Sequence, residues 1–427
     1  MTDRDSKKPE NNSRRNFLKQ SITAAGTLGG IAALGLSAPA ALRSAVWAAG
    51  SDAPEKAALT VGFIPLTDCA SLIVAATQGF GEKYGLKITP SKEASWAGVR
   101  DKLINGELDA AHVLYGLIYG VQLGVGGPKT DMAVLMGLNQ NGQSITLSNQ
   151  LKEAGVTTGA QLAAHVKKGG NPLTFAQTFP TGTHAMWLYY WLASHGINPM
   201  SDVKTITVPP PQMVANMRVG NMDGFCVGEP WGARAIFDKI GFTATTTQQI
   251  WPDHPEKVLG TTRAFVEQYP NAARALVMAI LDASRFIEAS VENKKSTAKL
   301  IAGKAYVNAP VEVIEQRFLG QYQDGLGNKW EDKHAMAFCN DCTVNFPYLS
   351  DGMWFLTQFR RWGLIKEEPD YAGIATSINQ VKLFSEAASA LKLPVPTTLL
   401  RSSTLIDGKL WDGSNPAAYA QSFAVKA

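Results

Sequence analysis

Two similar stretches of the chain are Val99-Arg-Asp-Lys-Leu-Ile-Asn-Gly-Glu-Leu-Asp-Ala-Ala-His112 and Val214-Ala-Asn-Met-Arg-Val-Gly-Asn-Met-Asp-Gly-Phe-Cys226. Each has apolar residues at helical spacing, then a glycine, two further residues and an aspartate that precedes a short apolar run. Gly106 and Gly220 stand where a helix can end, because glycine adopts the left-handed conformation at little cost. The repeat predicts one helix–strand unit in each of two similarly built α/β lobes.

Alternating strand and helix patterns surround both copies of the repeat. In the first lobe we predict strands at 58–64, 86–89 and 109–113, with helices at 70–80 and 96–105. In the second we predict strands at 173–176, 205–208 and 224–227, with helices at 184–193 and 211–219. The predicted fold class is therefore α/β, with a mixed or parallel sheet flanked by helices in each lobe. Two such lobes around a cleft are typical of binding proteins that close on a hinge.

The first 49 residues have the composition of an export leader. Ser13-Arg-Arg-Asn-Phe-Leu-Lys19 is a twin-arginine signature, an uncharged Ala/Gly/Leu run follows at 21–42, and Val46-Trp-Ala48 resembles a cleavage site. The alternative is a membrane anchor, but the run is rich in glycine and alanine and contains Pro39, which weakens insertion. The leader predicts export to the periplasm by the twin-arginine route.

The leader also accounts for the net charge of the chain. The formal charge is +4, from 40 Lys and Arg against 36 Asp and Glu, and residues 1–49 hold seven of the former and three of the latter. The remaining residues carry 33 of each, so they are neutral overall. This balance gives no support to a nucleic-acid partner or a lipid surface.

From the predicted elements we divide the chain into four segments. These are the leader at 1–49, a first part of lobe 1 at 57–142, lobe 2 at 143–246, and a return to lobe 1 with helical C-terminal additions at 247–427.

The cysteines leave several interpretations open. Cys339-Asn-Asp-Cys342 is compatible with two ordinary thiols, with a disulfide of short loop, or with redox chemistry. A zinc site would need two more ligands, and no second cysteine pair or paired histidine motif supplies them. We therefore predict no metal and no cofactor.

Polar or aromatic residues follow the predicted strands, where ligands bind in α/β lobes. These positions are Ser95-Trp96, the loop at 139–143, Thr181-Gly-Thr-His184, the segment at 226–231, and Lys257 before a β-like run. Each has an ordinary alternative: Lys257 as a surface charge, His184 or Trp96 as a helix-start residue, and Gln143 as the end of a turn. The aromatic run at 187–191 is more typical of a core than of a second site.

These segments resemble the nitrate-binding proteins of ABC-type nitrate transporters, which have the type II periplasmic binding-protein fold. The matching motifs are Gly137-Leu-Asn-Gln-Asn-Gly-Gln143, Phe179-Pro-Thr-Gly-Thr-His184, Val227-Gly-Glu-Pro-Trp231 and Trp96 at its helix start. The resemblance extends over essentially all of the chain after the leader. It implies a nitrate site formed by Trp96, Gln143, His184, Lys257 and the backbone at Val227 and Gly228.

The chemistry of nitrate agrees with these residue types. Nitrate is planar, carries one negative charge and has only acceptor oxygens, so its site should offer donors and a cation but no carboxylate facing the oxygens. Bicarbonate has an O–H donor and needs an acceptor. Because the resemblance implies less basic residues at the His184 and Lys257 positions of bicarbonate-binding relatives, their presence here favours nitrate or nitrite.

Two further functions remain as alternatives. A nitrate sensor of the same fold would bind the same anion, although cytosolic sensors of this type lack an export leader. An exported redox protein could use Cys339 and Cys342, but we find no iron–sulfur spacing, phosphate-binding glycine loop or zinc-protease motif. The expected protein is thus a monomeric, non-enzymatic receptor that delivers nitrate or nitrite to a membrane permease.

Overall fold

The structure is a computed structural model that describes residues 52–427, so the predicted leader at 1–49 lies outside the described residues. Two five-stranded sheets form the centres of the two lobes. Their strands are β1 (Ala58–Phe63), β2 (Lys87–Lys92), β3 (Ala110–Leu114), β4 (Met132–Gly137), β5 (Gln143–Ser148), β6 (Thr174–Gln177), β7 (Lys204–Thr207), β8 (Gly224–Gly228), β9 (Gly241–Thr246) and β10 (Lys257–Thr262).

The two sheets have the same topology. Their strand orders are β2-β1-β3-β10-β4 and β7-β6-β8-β5-β9. In the first sheet β10 runs antiparallel to both β3 and β4, and in the second β5 runs antiparallel to both β8 and β9. Each antiparallel strand therefore follows a crossing of the chain from one sheet to the other, and the predicted mixed α/β fold with two similar lobes is confirmed.

Helices flank both sheets. Those between the strands are Ala70–Thr77, Phe80–Lys83, Trp96–Ile104, Tyr115–Leu123, Asn149–Glu153, Gly159–Lys167, Thr183–Ser194, Met213–Arg218, Trp231–Phe237 and Thr247–Ile250. After β10 come Arg263–Gln268, Pro270–Glu288, Val291–Ile301, Val311–Phe318, Leu349–Arg361, Tyr371–Ile378, Val381–Ala390 and Pro416–Gln421, with two small hairpins, Gln321–Gln323 with Lys329–Glu331 and Ser403–Thr404 with Leu410–Trp411. Within the described part of the chain, none of the helices has both the length and the apolar character needed to cross a membrane.

The repeated sequence has the same structural role in both lobes. Gly106 and Gly220 end their helices with φ of 75° and 76°. The Asp109 carboxylate accepts a hydrogen bond from the Thr60 N–H at 2.9 Å, and the Asp223 carboxylate accepts one from the Thr174 N–H at 2.7 Å. Each aspartate thereby fixes the strand that follows it to the neighbouring parallel strand.

Two predicted helices differ from those observed. The helix predicted at 70–80 is interrupted after Thr77, because Gly79 takes a left-handed φ of 81° and a short second helix begins at Phe80. The helix predicted at 211–219 is observed as a 3-10 turn, Pro210–Gln212, followed by the α-helix Met213–Arg218.

The C-terminal helices pack on both lobes. Pro270–Glu288 packs against Ala70–Thr77 of the first lobe. Leu349–Arg361 packs against Tyr115–Leu123. The centroid of its Trp354 ring lies 4.7 Å from the centroid of the Trp187 ring in the second lobe. The aromatic run that includes Trp187 is buried, as expected of a core. The four segment boundaries drawn from the sequence remain a proposal.

Replacing Asp223 by Ala should lower the free energy of unfolding by about 1–3 kcal/mol, because the Thr174 N–H loses a charged acceptor. Denaturant unfolding measures this change. Glu153→Ala is the matched control, since Glu153 is an exposed carboxylate at the end of a helix in the same lobe. Equal stability of the two variants would show that the aspartate of the repeat does not hold the strands together.

Candidate functional site

The sheet edges that face each other across the lobes carry the predicted site residues. Parallel strands end at these edges, and the antiparallel strands begin there. Gln143 is the first residue of β5, Lys257 is the first residue of β10, and Gly228 is the last residue of β8. Gln143 and Gly228 are paired across the second sheet, with Val227 next to Gly228 and also fully buried.

Loops from the two lobes contact each other beside this region. The Thr67 N–H and hydroxyl both donate to the Glu229 carbonyl at 2.8 Å. The Trp231 indole N–H donates to the Pro65 carbonyl at 2.9 Å. These contacts join the loop after β1 to the loop after β8, so the structure is the closed arrangement of the lobes, and the side chains between them are buried.

Lys257 lies in a buried cluster of charges. Its Nζ donates to Asp68 Oδ2 at 2.8 Å and also to the Glu256 carboxylate. Asp68 Oδ1 in turn accepts from His112 Nε2 at 2.6 Å. All four side chains are fully buried. Carboxylates thus lie beside Lys257, because a buried ammonium needs anionic partners to offset its lost hydration.

The two carboxylates of the cluster titrate differently. Burial acts to raise the pKa of Asp68, but the charge of Lys257, the electrostatic effect of the His112 ring and the hydrogen bonds from both outweigh it and hold that pKa well below its usual range. For Glu256 burial is the dominant effect, and Lys257 offsets only part of it, so its pKa is raised to about 7. Burial also opposes the charge on Lys257, yet Asp68 and Glu256 together raise its pKa above the ordinary value. Lys257 and Asp68 are thus a stable ion pair, and Glu256 is the carboxylate that can change its protonation near neutral pH.

His184 lies in the first turn of the helix Thr183–Ser194, close to Glu256. Its Nδ1 is hydrogen-bonded to the Thr178 hydroxyl, and Thr178 directly follows β6. Its Nε2 has no hydrogen bond to a described residue and lies 3.8 Å from Glu256 Oε1. Burial and the nearby charge of Lys257 lower the pKa of His184 well below its usual value.

Trp96 and Gln143 complete the set of predicted side chains. Trp96 begins the helix Trp96–Ile104, whose first turn is capped by the Ser95 hydroxyl, and the centroid of its ring is 5.8 Å from Lys257 Nζ. Gln143 lies near enough to Glu256 to favour its ionised form, although its Nε2 makes no hydrogen bond of normal geometry.

Several buried polar atoms of this region have no hydrogen-bond partner among the described residues. They are Trp96 Nε1, His112 Nδ1, Gln143 Nε2, His184 Nε2 and Glu256 Oε2. Buried polar atoms are rarely left unpaired in proteins, because each one costs free energy. Their presence around Lys257 makes this cluster the candidate binding site.

Gly228 forms the wall of the site on the side of the second lobe. A Cβ atom at this position would lie 3.4 Å from both Asp68 Oδ2 and His184 Nε2. The absence of a side chain at Gly228 therefore leaves space next to the charged cluster.

The structure brings together all six residues predicted from the sequence and adds three that the sequence did not predict. Asp68, in the loop after β1, binds His112 and Lys257 through its carboxylate. Glu256 and His112 were not recognised at all. One signal could have found Glu256: a buried lysine needs a carboxylate partner, and Glu256 is the residue directly before Lys257.

The cysteine pair Cys339 and Cys342 does not belong to this cluster. Cys339 and Cys342 are both buried free thiols near Arg285 and Glu288. Among residues 52–427, no group of three or more His, Cys, Asp or Glu side chains is arranged to hold a metal ion.

Replacing Lys257 by Met should destabilise the protein by about 3–5 kcal/mol at pH 7.5, because Asp68 and Glu256 lose their cation while buried. The loss should be smaller at pH 5. Without the lysine the folded-state pKa values of both carboxylates rise above the unfolded ones, so the folded state binds more protons and gains stability as the pH falls.

Urea unfolding at both pH values measures this effect, with Lys304→Met as a control for an exposed lysine. If Lys257→Met were no less stable than Lys304→Met at pH 7.5, the charge cluster would not be a stabilising unit.

Comparison with known proteins places the chain among anion-binding relatives. A nitrate/nitrite binding protein, NrtA of Synechocystis, is 40% identical over 390 residues, covering 88% of this chain and 87% of the relative. The bicarbonate-binding protein CmpA of Synechococcus elongatus is 32% identical over 411 residues, covering 89% of each. The crystal structure of the periplasmic nitrate-binding protein NrtA from Synechocystis matches 87% of this chain and all of that chain, with a TM-score of 0.83 and 39% identity.

These relatives are solute-binding proteins by name, and their similarity extends over nearly the whole described chain. The model of the NMT1-like family matches residues 52–302, which include both sheets and every residue of the site. The chain is a member of the NMT1-like family, and it is homologous to the NrtA nitrate-binding proteins of ABC transporters.

Proposed function

We propose that this protein binds nitrate, or nitrite, between its closed lobes and delivers it to the permease of an ABC transporter. The observation that carries the proposal is the buried ammonium of Lys257, surrounded by N–H groups without partners. One small anion would receive a cation and several donors at once, away from water. Charge-assisted hydrogen bonds of this kind are stronger than neutral ones.

The donors suit an anion that has only acceptor oxygens. Trp96 Nε1 and Gln143 Nε2 are N–H donors in any protonation state. When His184 Nδ1 accepts a hydrogen bond from the Thr178 hydroxyl, the neutral ring carries its hydrogen on Nε2 and presents a third donor. The ring of Trp96 can also lie against a planar ion, and Gly228 supplies the space beside it.

Bicarbonate is the second candidate, and Glu256 is the observation that favours it. An ionised Glu256 has a free acceptor at Oε2 that could receive the O–H of bicarbonate. The basic residue Lys257, the unpartnered donors and the higher identity to the nitrate-binding relative, 40% against 32% for the bicarbonate-binding one, support nitrate instead.

Lobe closure explains how binding is coupled to transport. The site residues are buried in the closed arrangement, so an anion can enter and leave only when the contacts of Thr67 and Trp231 open. A permease that separates the lobes would release the anion at the membrane. The sequence at 1–49 supports export to the periplasm by the twin-arginine route, and export argues against an intracellular nitrate sensor. A redox role for Cys339 and Cys342 is disfavoured by the absence of iron–sulfur, glycine-loop and zinc motifs in the sequence. In the periplasm the protein acts as a monomer.

Titration of the purified protein with nitrate should give saturable quenching of tryptophan fluorescence, because Trp96 lies in the site. The Gly228→Ala variant should bind nitrate at least about tenfold more weakly, since its methyl group occupies space beside His184 and Asp68. Gly303→Ala is the matched control, because nothing lies within 4 Å of a Cβ at that position, and it should bind as the unmodified protein does.

Nitrite and bicarbonate are titrated in parallel. Saturation by bicarbonate without any response to nitrate would contradict the proposed function. Equal nitrate affinity of the two glycine variants would place the anion away from Gly228.

A further inference from the structure

The cluster around Lys257 holds more negative than positive charge, which opposes the binding of an anion. Asp68 and Glu256 are two carboxylates, and Lys257 is the cation between them. Burial lowers the pKa of the neighbouring His112 and His184, which favours their neutral form. An ionised cluster thus has a net charge of −1. A nitrate ion enclosed beside it would change the net charge from −1 to −2, in a region where every participating side chain is fully buried. Uncompensated charge of this size is strongly unfavourable away from water.

We propose that the anion binds together with one proton, and that Glu256 takes up this proton at Oε2. The inference rests on the proposed function and concerns the same site. The proton comes from the solvent and forms an O–H bond at Glu256, while nitrate is chemically unchanged. Proton uptake returns the occupied cluster to a net charge of −1, and it converts Glu256 from an acceptor into a donor.

The hydrogen bonds of the two carboxylates select Glu256 over Asp68. Both oxygens of Asp68 are occupied, one by Lys257 at 2.8 Å and the other by His112 at 2.6 Å. Glu256 uses only Oε1 toward Lys257, and its Oε2 has no partner among the described residues. A proton on Oε2 therefore breaks no ion pair, and the new O–H group can donate to an oxygen of the anion.

The other titratable groups around Glu256 are poor carriers of this proton. Those that face it or lie next to its partners are Lys257, Asp68, His184, His112, Cys226 and His254. Burial lowers the pKa of His112, although its Nδ1 has no partner among the described residues. It lowers the pKa of His184 well below its usual value and that of His254 to about 3. Burial raises the pKa of the Cys226 thiol, so it stays protonated. The pKa of Glu256, raised to about 7 by burial, is the one that lies in the neutral range.

The sign of the pH dependence follows from linkage. Bound nitrate raises the pKa of Glu256 further, so the complex holds a proton that the free protein has lost above about pH 7. The dissociation constant for nitrate should therefore rise about tenfold per pH unit above pH 7, and level off below it, where free Glu256 already carries the proton.

Isothermal titration calorimetry of nitrate at pH 6 to 8.5 tests this dependence directly. Repeating the titration at pH 8 in two buffers of different ionisation enthalpy counts the protons, and we expect uptake of about one per nitrate. This count uses the unmodified protein, so it decides the proposal even where a variant does not fold.

The variant Glu256→Gln supplies the matched comparison, because an amide is neutral and offers a donor at every pH. It should bind nitrate with a dissociation constant that does not change between pH 6 and 8.5, and without proton uptake. The exposed carboxylate variant Glu107→Gln should keep the full pH dependence.

Nitrate binding without proton uptake in the unmodified protein would overturn the inference and leave the proposed function standing. An undiminished pH dependence in Glu256→Gln would overturn the assignment to Glu256. A lack of nitrate binding at every pH would instead contradict the proposed function.

Discussion

The buried ammonium of Lys257 is the interaction on which the rest of this site depends. A charged amine cannot be withdrawn from water unless its partners replace the lost hydration. Here the partners come from two places: Glu256 precedes Lys257 in the chain, and Asp68 arrives from the loop after β1 and is itself held by His112. The cluster therefore ties the start of β10 to two neighbouring strands of the first sheet before any ligand is considered.

The matched topology of the two sheets explains why the remaining groups meet this cluster. In each sheet the one antiparallel strand begins at the edge where the parallel strands end. Gln143 at the start of β5 and Lys257 at the start of β10 occupy corresponding positions in the two lobes. Closing the lobes then places the second-lobe donors against the first-lobe cation, with Thr67 and Trp231 making the hydrogen bonds between them. The same closure removes water, so each electrostatic interaction in the site becomes stronger.

Local patterns in the sequence predicted much of the fold. The helix–glycine–aspartate repeat indicated two similar lobes because its glycine and aspartate act within a few residues and one neighbouring strand. The positions of Trp96, Gln143 and His184 also followed from their places at element ends. Asp68, His112 and Glu256 were missed because their role depends on contacts between distant parts of the chain, such as Asp68 with Lys257. The chemistry of nitrate suggested that no carboxylate faces its oxygens. The carboxylates beside Lys257 meet a different need, that of a buried ammonium for anionic partners.

The central claim is that a small anion binds inside this cluster, between the lobes. A crystal structure of the protein with nitrate tests it most directly. The account predicts one planar ion enclosed by Trp96, Gln143, His184 and Lys257, in contact with Gly228 and shielded from solvent. Nitrate bound outside the cleft, or a closed cluster that excludes it at saturating concentration, would contradict the account.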